Sequence, residues 1–126
     1  MMRTTIKTPN APAAIGPYAQ ANIVNGTIYV SGQIPIDPLT GELSENEIKA
    51  QTKQCIKNIE AILAAAGSDL QNVVKTTVFL SDMGNFAAMN EVYAEFFSGE
   101  LLPSRATVEV SGLPKGALVE IEAIAY

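Results

Sequence analysis

The chain has 126 residues, 48% of them hydrophobic, with a net charge of -5, one cysteine and no histidine. That suffices for one globular domain, residues 1-126, with a substantial core; it excludes an internal disulfide, and the lack of histidine removes the commonest general base and leaves little room for a structural zinc site. The acidic balance argues against broad nucleic-acid binding, and no apolar run reaches the ~18 residues of a membrane span. The amino terminus lacks the apolar core of a secretory signal, so a cytoplasmic location is expected.

Residues 3–7 read as a short first strand. Residues 8–18 follow with three prolines and a glycine, which rule out regular structure and predict an ordered loop. Residues 19–24 and 27–31 are strand-like runs joined by Asn25-Gly26, a strong hairpin signal. The second run ends in Ser31-Gly32-Gln33-Ile34-Pro35, and a glycine just after a strand lets the backbone approach a ligand or another chain. Residues 37–41, Asp-Pro-Leu-Thr-Gly, predict a further turn.

Ser44 and Glu47 have the spacing of a capping box, with Ser44 at the N-cap. A helix to about Ala66 follows from the apolar stripe Ile48, Thr52, Cys55, Ile59, Ile62 and Ala66, widened by Ile56 and Leu63. Gly67 is a natural stop. Cys55 lies on that stripe and reads as packing rather than chemistry. Lys49, Lys53 and Lys57 recur every four residues on another face, as a solvated face or an anion patch.

Residues 68–70 suggest a turn, and residues 73–80 a strand rich in β-branched side chains. Residues 81–85 break it. A second helix over residues 86–97 presents Phe86, Met89, Tyr93, Phe96 and Phe97 on its apolar face. Asn90 shares that face and must be satisfied by the protein or by a ligand.

Residues 103–110 alternate with a period of two. Ala106, Val108 and Val110 point one way; Arg105, Thr107 and Glu109 point the other. The chain has only two arginines, and the other is Arg3. Arg105 therefore places a planar fork of donors on a rigid element in mid-sequence, to pair with Glu109 or Glu120 or to take a carboxylate ligand. Residues 118–126 alternate again, with Val119, Ile121, Ala123 and Ala125 on one face and Leu118, Glu120, Glu122 and Ile124 on the other.

The order is β-β-β-α-β-α-β-β. It predicts an α+β domain with a mixed, mostly antiparallel sheet and two helices on one face. The other face is expected to carry Arg105, Thr107, Glu109, Glu120 and Glu122 beside Leu118 and Ile124. Pairing of the last two strands would bring Glu120 or Glu122 near Arg105. A mixed face that two helices leave uncovered points to a homo-oligomer with polar groups lining clefts between chains.

Five stretches in register carry a resemblance that spans essentially the whole chain: residues 10–18 (Asn-Ala-Pro-Ala-Ala-Ile-Gly-Pro-Tyr), 31–35 (Ser-Gly-Gln-Ile-Pro), 75–80 (Lys-Thr-Thr-Val-Phe-Leu), 103–110 and 120–125 (Glu-Ile-Glu-Ala-Ile-Ala). Together they resemble the reactive-intermediate deaminase family, RidA or YjgF-type. The resemblance implies a chorismate-mutase-like fold and a homotrimer with sites at subunit interfaces. It also implies deamination of 2-iminopropanoate and 2-iminobutanoate, products of pyridoxal-phosphate dehydratases, to 2-keto acids and ammonia. By position, Arg105 would hold the substrate carboxylate and Glu120 would position or activate water. Tyr18, Ser31, Gly32 and Asn90 would line the pocket. Thr107, where the family often has cysteine, would act through its backbone, which leaves no place for a catalytic thiol.

A protonated imine is already electrophilic, so no metal or organic cofactor is needed. Two other readings use the same residues. One is a non-catalytic module that binds a 2-keto acid or similar small anion; the presence of both Arg105 and Glu120 favours the enzyme over it. The other is RNA cleavage or translation inhibition, which the acidic balance and the missing basic–aromatic stripe oppose.

Overall fold

The computed structural model describes residues 2–126 and follows the expected element order. The strands are β1 (Arg3–Ile6), β2 (Ala21–Val24), β3 (Thr27–Gln33), β4 (Val73–Leu80), β5 (Ser104–Glu109) and β6 (Val119–Ala125), and the helices are α1 (Ile48–Ala65) and α2 (Phe86–Phe96). Among the described residues the strands form one sheet in the order β1-β2-β3-β6-β4-β5. Its pairs are antiparallel except β4–β5, which is parallel. The hairpin forms where Asn25-Gly26 predicts it, with both residues at positive φ, 52° and 81°. That is the backbone a two-residue turn between twisted strands requires.

Both helices cover one face of the sheet. The stripe of α1 is buried as expected, with Cys55, Ile56, Ile59, Ile62 and Leu63 fully enclosed. They pack over Val78 and Leu80 of β4 and Val119 and Ile121 of β6, with Met89 from α2 completing the layer. Burying one such aliphatic side chain contributes about 1.5–3 kcal/mol, so this layer is the main source of stability. Lys49, Lys53 and Lys57 are exposed, and Lys49 pairs with Glu91 of α2 at 2.6 Å.

The start of α1 differs from the capping box. Glu47, not Ser44, is the N-cap, and its carboxylate accepts from the backbone of Lys49 at 2.8 Å and of Ala50 at 2.9 Å. These bonds hold the Glu47 carboxyl below the usual carboxylate range. Ser44 remains in the preceding loop, where its N–H donates to the carbonyl of Pro35 at 2.9 Å. A carboxylate on the residue abutting the first turn satisfies two free N–H groups at once, more than a serine three residues back can do.

The last strands also depart from expectation. β6 does not pair with β5, because β4 lies between them. A helical crossover joins β4 to β5 and sets them parallel side by side, while β6 returns antiparallel into the centre. The faces of β5 are reversed relative to the expectation. Arg105 is the register partner of Thr76, and Thr107 of Val78, both buried beneath the helices. Ala106 and Val108 face the open side, next to Thr77 and Phe79, whose partners on β6 are Glu122 and Glu120. Arg105 and Glu120 thus lie on opposite faces of the sheet. The open face also exposes Tyr29 and Val108, 49% and 41% accessible.

Candidate active site

The residues singled out in the sequence gather in two places. The first is built where β5 passes beneath α2. Arg105 Nη1 donates to Asn90 Oδ1 at 2.7 Å, so the polar residue on the apolar face of α2 is satisfied by the arginine itself. The Arg105 guanidinium carbon lies 4.7 Å from the ring centroid of Tyr93 and 5.6 Å from that of Phe86. Neither Glu109 nor Glu120 pairs with it. Glu109 Oε1 instead accepts from the backbone of Met83 at 2.7 Å. Thr107 stands two residues along the same face, and its hydroxyl is buried without a partner among the described residues. β5 is an edge strand, so backbone donors and acceptors remain free along its outer side.

The second place is a cleft of about 380 Å³ whose walls include Tyr18, Gly32, Ile34, Pro114, Lys115 and Glu120. β3 carries one extra residue here. Val30 pairs with Ala123 and Gln33 with Ile121, so Ser31 and Gly32 bulge out of the ladder. The bulge brings the Gly32 backbone against Glu120, and a Cβ built on Gly32 would collide with Glu120 Oε2 and lie 3.0 Å from its Cδ. Ser31 beside it is spent on the loop: its hydroxyl donates to the Ala19 carbonyl at 2.6 Å, and its N–H donates to the Gln20 carbonyl at 3.0 Å. Burial raises the Glu120 carboxyl above the usual range, and the neighbouring Glu122 carboxylate adds to the rise.

Two contributors were not singled out in the sequence. Gln20, 3% exposed, holds the proline-rich loop by its amide. Its Oε1 accepts from Thr8 N at 2.7 Å, and its Nε2 donates to the carbonyls of Thr8 at 3.1 Å and Pro12 at 2.8 Å. Such a loop has no ladder of its own, so a buried amide next to it is the available signal. The other is Lys115, a cleft residue held at a φ of 58°. Only the closed turn between Pro114 and Gly116 reveals it.

A larger cleft of about 790 Å³ lies along residues 5–20 and is lined by neither an arginine nor a carboxylate. Cys55 is sealed in the core, its thiol donating to the Val119 carbonyl at 3.6 Å and raised well above its usual pKa by burial. It is no nucleophile. Among the described residues no group of three or more His, Cys, Asp or Glu side chains is placed to hold a metal ion, and no helix is long and apolar enough to cross a membrane.

The family model described as endoribonuclease L-PSP matches residues 8–126. A RutC family protein of Pyrococcus horikoshii is 58% identical over 125 residues, covering 99% of this chain and 98% of the relative. A Mus musculus protein named 2-iminobutanoate/2-iminopropanoate deaminase is 52% identical over 125 residues, covering 99% and 92%. The crystal structure of a Rid family protein from Yersinia pestis superposes with a TM-score of 0.96 at 55% identity, with 98% of each chain covered.

Proposed function

The chain belongs to the endoribonuclease L-PSP family, the RidA/YjgF group, and on that premise we propose that it hydrolyses reactive 2-imino acids, 2-iminopropanoate and 2-iminobutanoate, to 2-keto acids and ammonia. The observation that carries the reading is the division of the site. One cluster offers an arginine with no carboxylate partner among the described residues, and the other offers a half-buried carboxyl beside a tight glycine. Each lacks what the other holds, and the two occupy opposite faces of one sheet. The reading therefore includes a homo-oligomer, a homotrimer by the family resemblance, in which Arg105, Asn90 and Thr107 of one subunit face Tyr18, Ser31, Gly32 and Glu120 of the next. The exposed apolar side chains of the open face, Tyr29 and Val108, suit burial between subunits.

In this arrangement Arg105 takes the substrate carboxylate through its fork of donors and thereby fixes the imine carbon. Glu120 accepts a proton from water as the oxygen attacks that carbon, giving a carbinolamine. Glu120 returns that proton to the nitrogen and then takes the hydroxyl proton as the carbon–nitrogen bond breaks and the carbonyl forms; ammonia leaves and carries the released proton away as ammonium. A carboxyl with a raised pKa suits a group that must both take and return a proton. The buried free Cys55 suits a reducing, cytoplasmic compartment. RNA cleavage, the activity in the family description, is opposed by the net charge of -5 and the absence of histidine.

The test is a coupled assay in which threonine dehydratase generates 2-iminobutanoate and 2-ketobutanoate formation is followed. Acceleration by this protein is expected; an unchanged rate would return the site to a non-catalytic binding role.

Gly32→Ala is expected to lower kcat about a hundredfold with little change in KM, because the new methyl group displaces the Glu120 carboxylate and not the anion site. Steady-state kinetics in the coupled assay check this. Glu122→Gln is expected to move the acid limb of the pH–rate profile to lower pH. Removing the neighbouring negative charge lowers the Glu120 pKa, so the base form persists further into acid. An acid limb that stays in place would argue against Glu120 as the titrating base.

A further inference from the structure

An arginine that binds a substrate carboxylate must be held still without being neutralised. An ion pair with a resident Asp or Glu would meet the first need and defeat the second, since that carboxylate competes for the same fork of donors. Arg105 is held in another way. Asn90 takes one Nη1 hydrogen at 2.7 Å, the rings of Tyr93 and Phe86 lie 4.7 and 5.6 Å from the guanidinium carbon, and among the described residues no ion pair involves it. Glu109, the carboxylate on the same face of β5, is drawn off by the Met83 backbone at 2.7 Å.

Tyr93 is itself anchored. Its hydroxyl and that of Thr76 are 2.7 Å apart in a buried hydrogen bond, and its ring packs tilted against Phe97 with centroids 4.5 Å apart. Thr76 is the register partner of Arg105 on the adjacent strand. The strand pair that carries the arginine is thus tied to the ring beneath it.

We propose that Tyr93, with Phe86 on its outer side, is a positioning residue: an aromatic platform that orients the Arg105 guanidinium toward a carboxylate while leaving its positive charge uncompensated. The face of an aromatic ring attracts a cation through its quadrupole but carries no net charge to offset it. A guanidinium lying over a ring keeps its in-plane N–H groups free, and those are the groups a carboxylate needs. The bond to Thr76 satisfies the buried hydroxyl and anchors the tip of the side chain on β4, while the ring face that meets Arg105 needs no hydroxyl. The inference rests on the reading of Arg105 as the carboxylate site.

The test uses the intact protein labelled with ¹⁵N-arginine. With only Arg3 and Arg105 in the chain, the side-chain Nε–H spectrum is simple to assign. The Arg105 signal is expected to be displaced by ring currents in the wild type and to move toward that of Arg3 in Tyr93→Leu. In the coupled assay Tyr93→Leu should raise KM about tenfold with kcat within about twofold, while Tyr93→Phe keeps both the spectrum and KM. An unmoved Arg105 signal and unchanged KM in Tyr93→Leu would overturn the proposal, as would Tyr93→Phe losing as much as Tyr93→Leu. If Tyr93→Leu does not fold, Phe86→Ala serves on the outer ring, which is 36% exposed. A smaller displacement and a KM increase of about threefold are expected there, and an unaltered spectrum would overturn the platform. A wild-type Arg105 signal that does not respond to 2-ketobutanoate, yet moves in Tyr93→Leu, would support the platform and overturn the carboxylate-clamp reading.

Discussion

Arg105→Ala is expected to lower kcat/KM for 2-iminobutanoate by at least about a hundredfold while leaving the protein folded. The loss is large because two charge-assisted hydrogen bonds to the substrate carboxylate go unmade, together worth about 3 kcal/mol. The fold survives because Arg105 is an exposed residue on an edge strand, and its bond to Asn90 lies outside the core. Arg105→Lys should recover little, since an ammonium cannot supply the planar fork. Steady-state kinetics with thermal melts of the same samples decide it. Near-normal efficiency in a folded Arg105→Ala protein would remove the clamp from the mechanism.

Glu120→Gln is expected to lower kcat by about a hundred- to ten-thousandfold, the range for loss of a positioned general base. Its effect on stability should run the other way. Folding raises the Glu120 carboxyl, so the folded state holds the proton to higher pH than the unfolded chain does. Stability from this group is therefore lost as pH rises from the ordinary carboxyl pKa through the raised one. A glutamine escapes that loss. Glu120→Gln should melt above the wild type at neutral pH, and the gap should close in acid. Full turnover in Glu120→Gln with loss in Glu122→Gln would exchange the two roles.

The two inactive variants also test the assembly. If each site takes Arg105 from one subunit and Glu120 from the next, exchange of subunits between Arg105→Ala and Glu120→Gln proteins rebuilds intact sites. Random mixing of equal amounts should return about a quarter of wild-type activity. No recovery after demonstrated exchange would show that the site is not shared in this way.

The candidate residues were legible in the sequence, but their grouping was not. Tyr18, Gly32 and Glu120 share one cleft, and Asn90, Arg105 and Thr107 another locality, although 102 positions separate Tyr18 from Glu120 and 15 separate Asn90 from Arg105. Asn90 shows the limit well. Its place on the apolar face of α2 signalled a polar group in need of a partner, yet the partner came from the edge strand β5. The collision between Gly32 and Glu120 depends on a bulge whose extra residue is visible only once β3 is laid against β6. Ser44 and Glu47 show the same limit locally. The spacing of a capping box was present, but which residue occupies the cap depends on where the preceding loop is tethered.

The sequence by itself determined the elements and their order, the turn at Asn25-Gly26 and the buried stripe of α1. These follow from periodicity, backbone preference and side-chain polarity within a few neighbouring residues. Tertiary structure alone decided that β6 enters the sheet between β3 and β4, and that Arg105 rather than Val108 turns toward the helices. A period of two separates the faces of a strand without saying which faces inward when that strand lies at an edge with small apolar residues on one side. In β5 the choice is made by α2, whose aromatic rings and Asn90 receive a guanidinium better than they would receive Val108. That choice puts the arginine and the glutamate on opposite faces of one sheet, which is why the proposed hydrolysis calls on two subunits for each site.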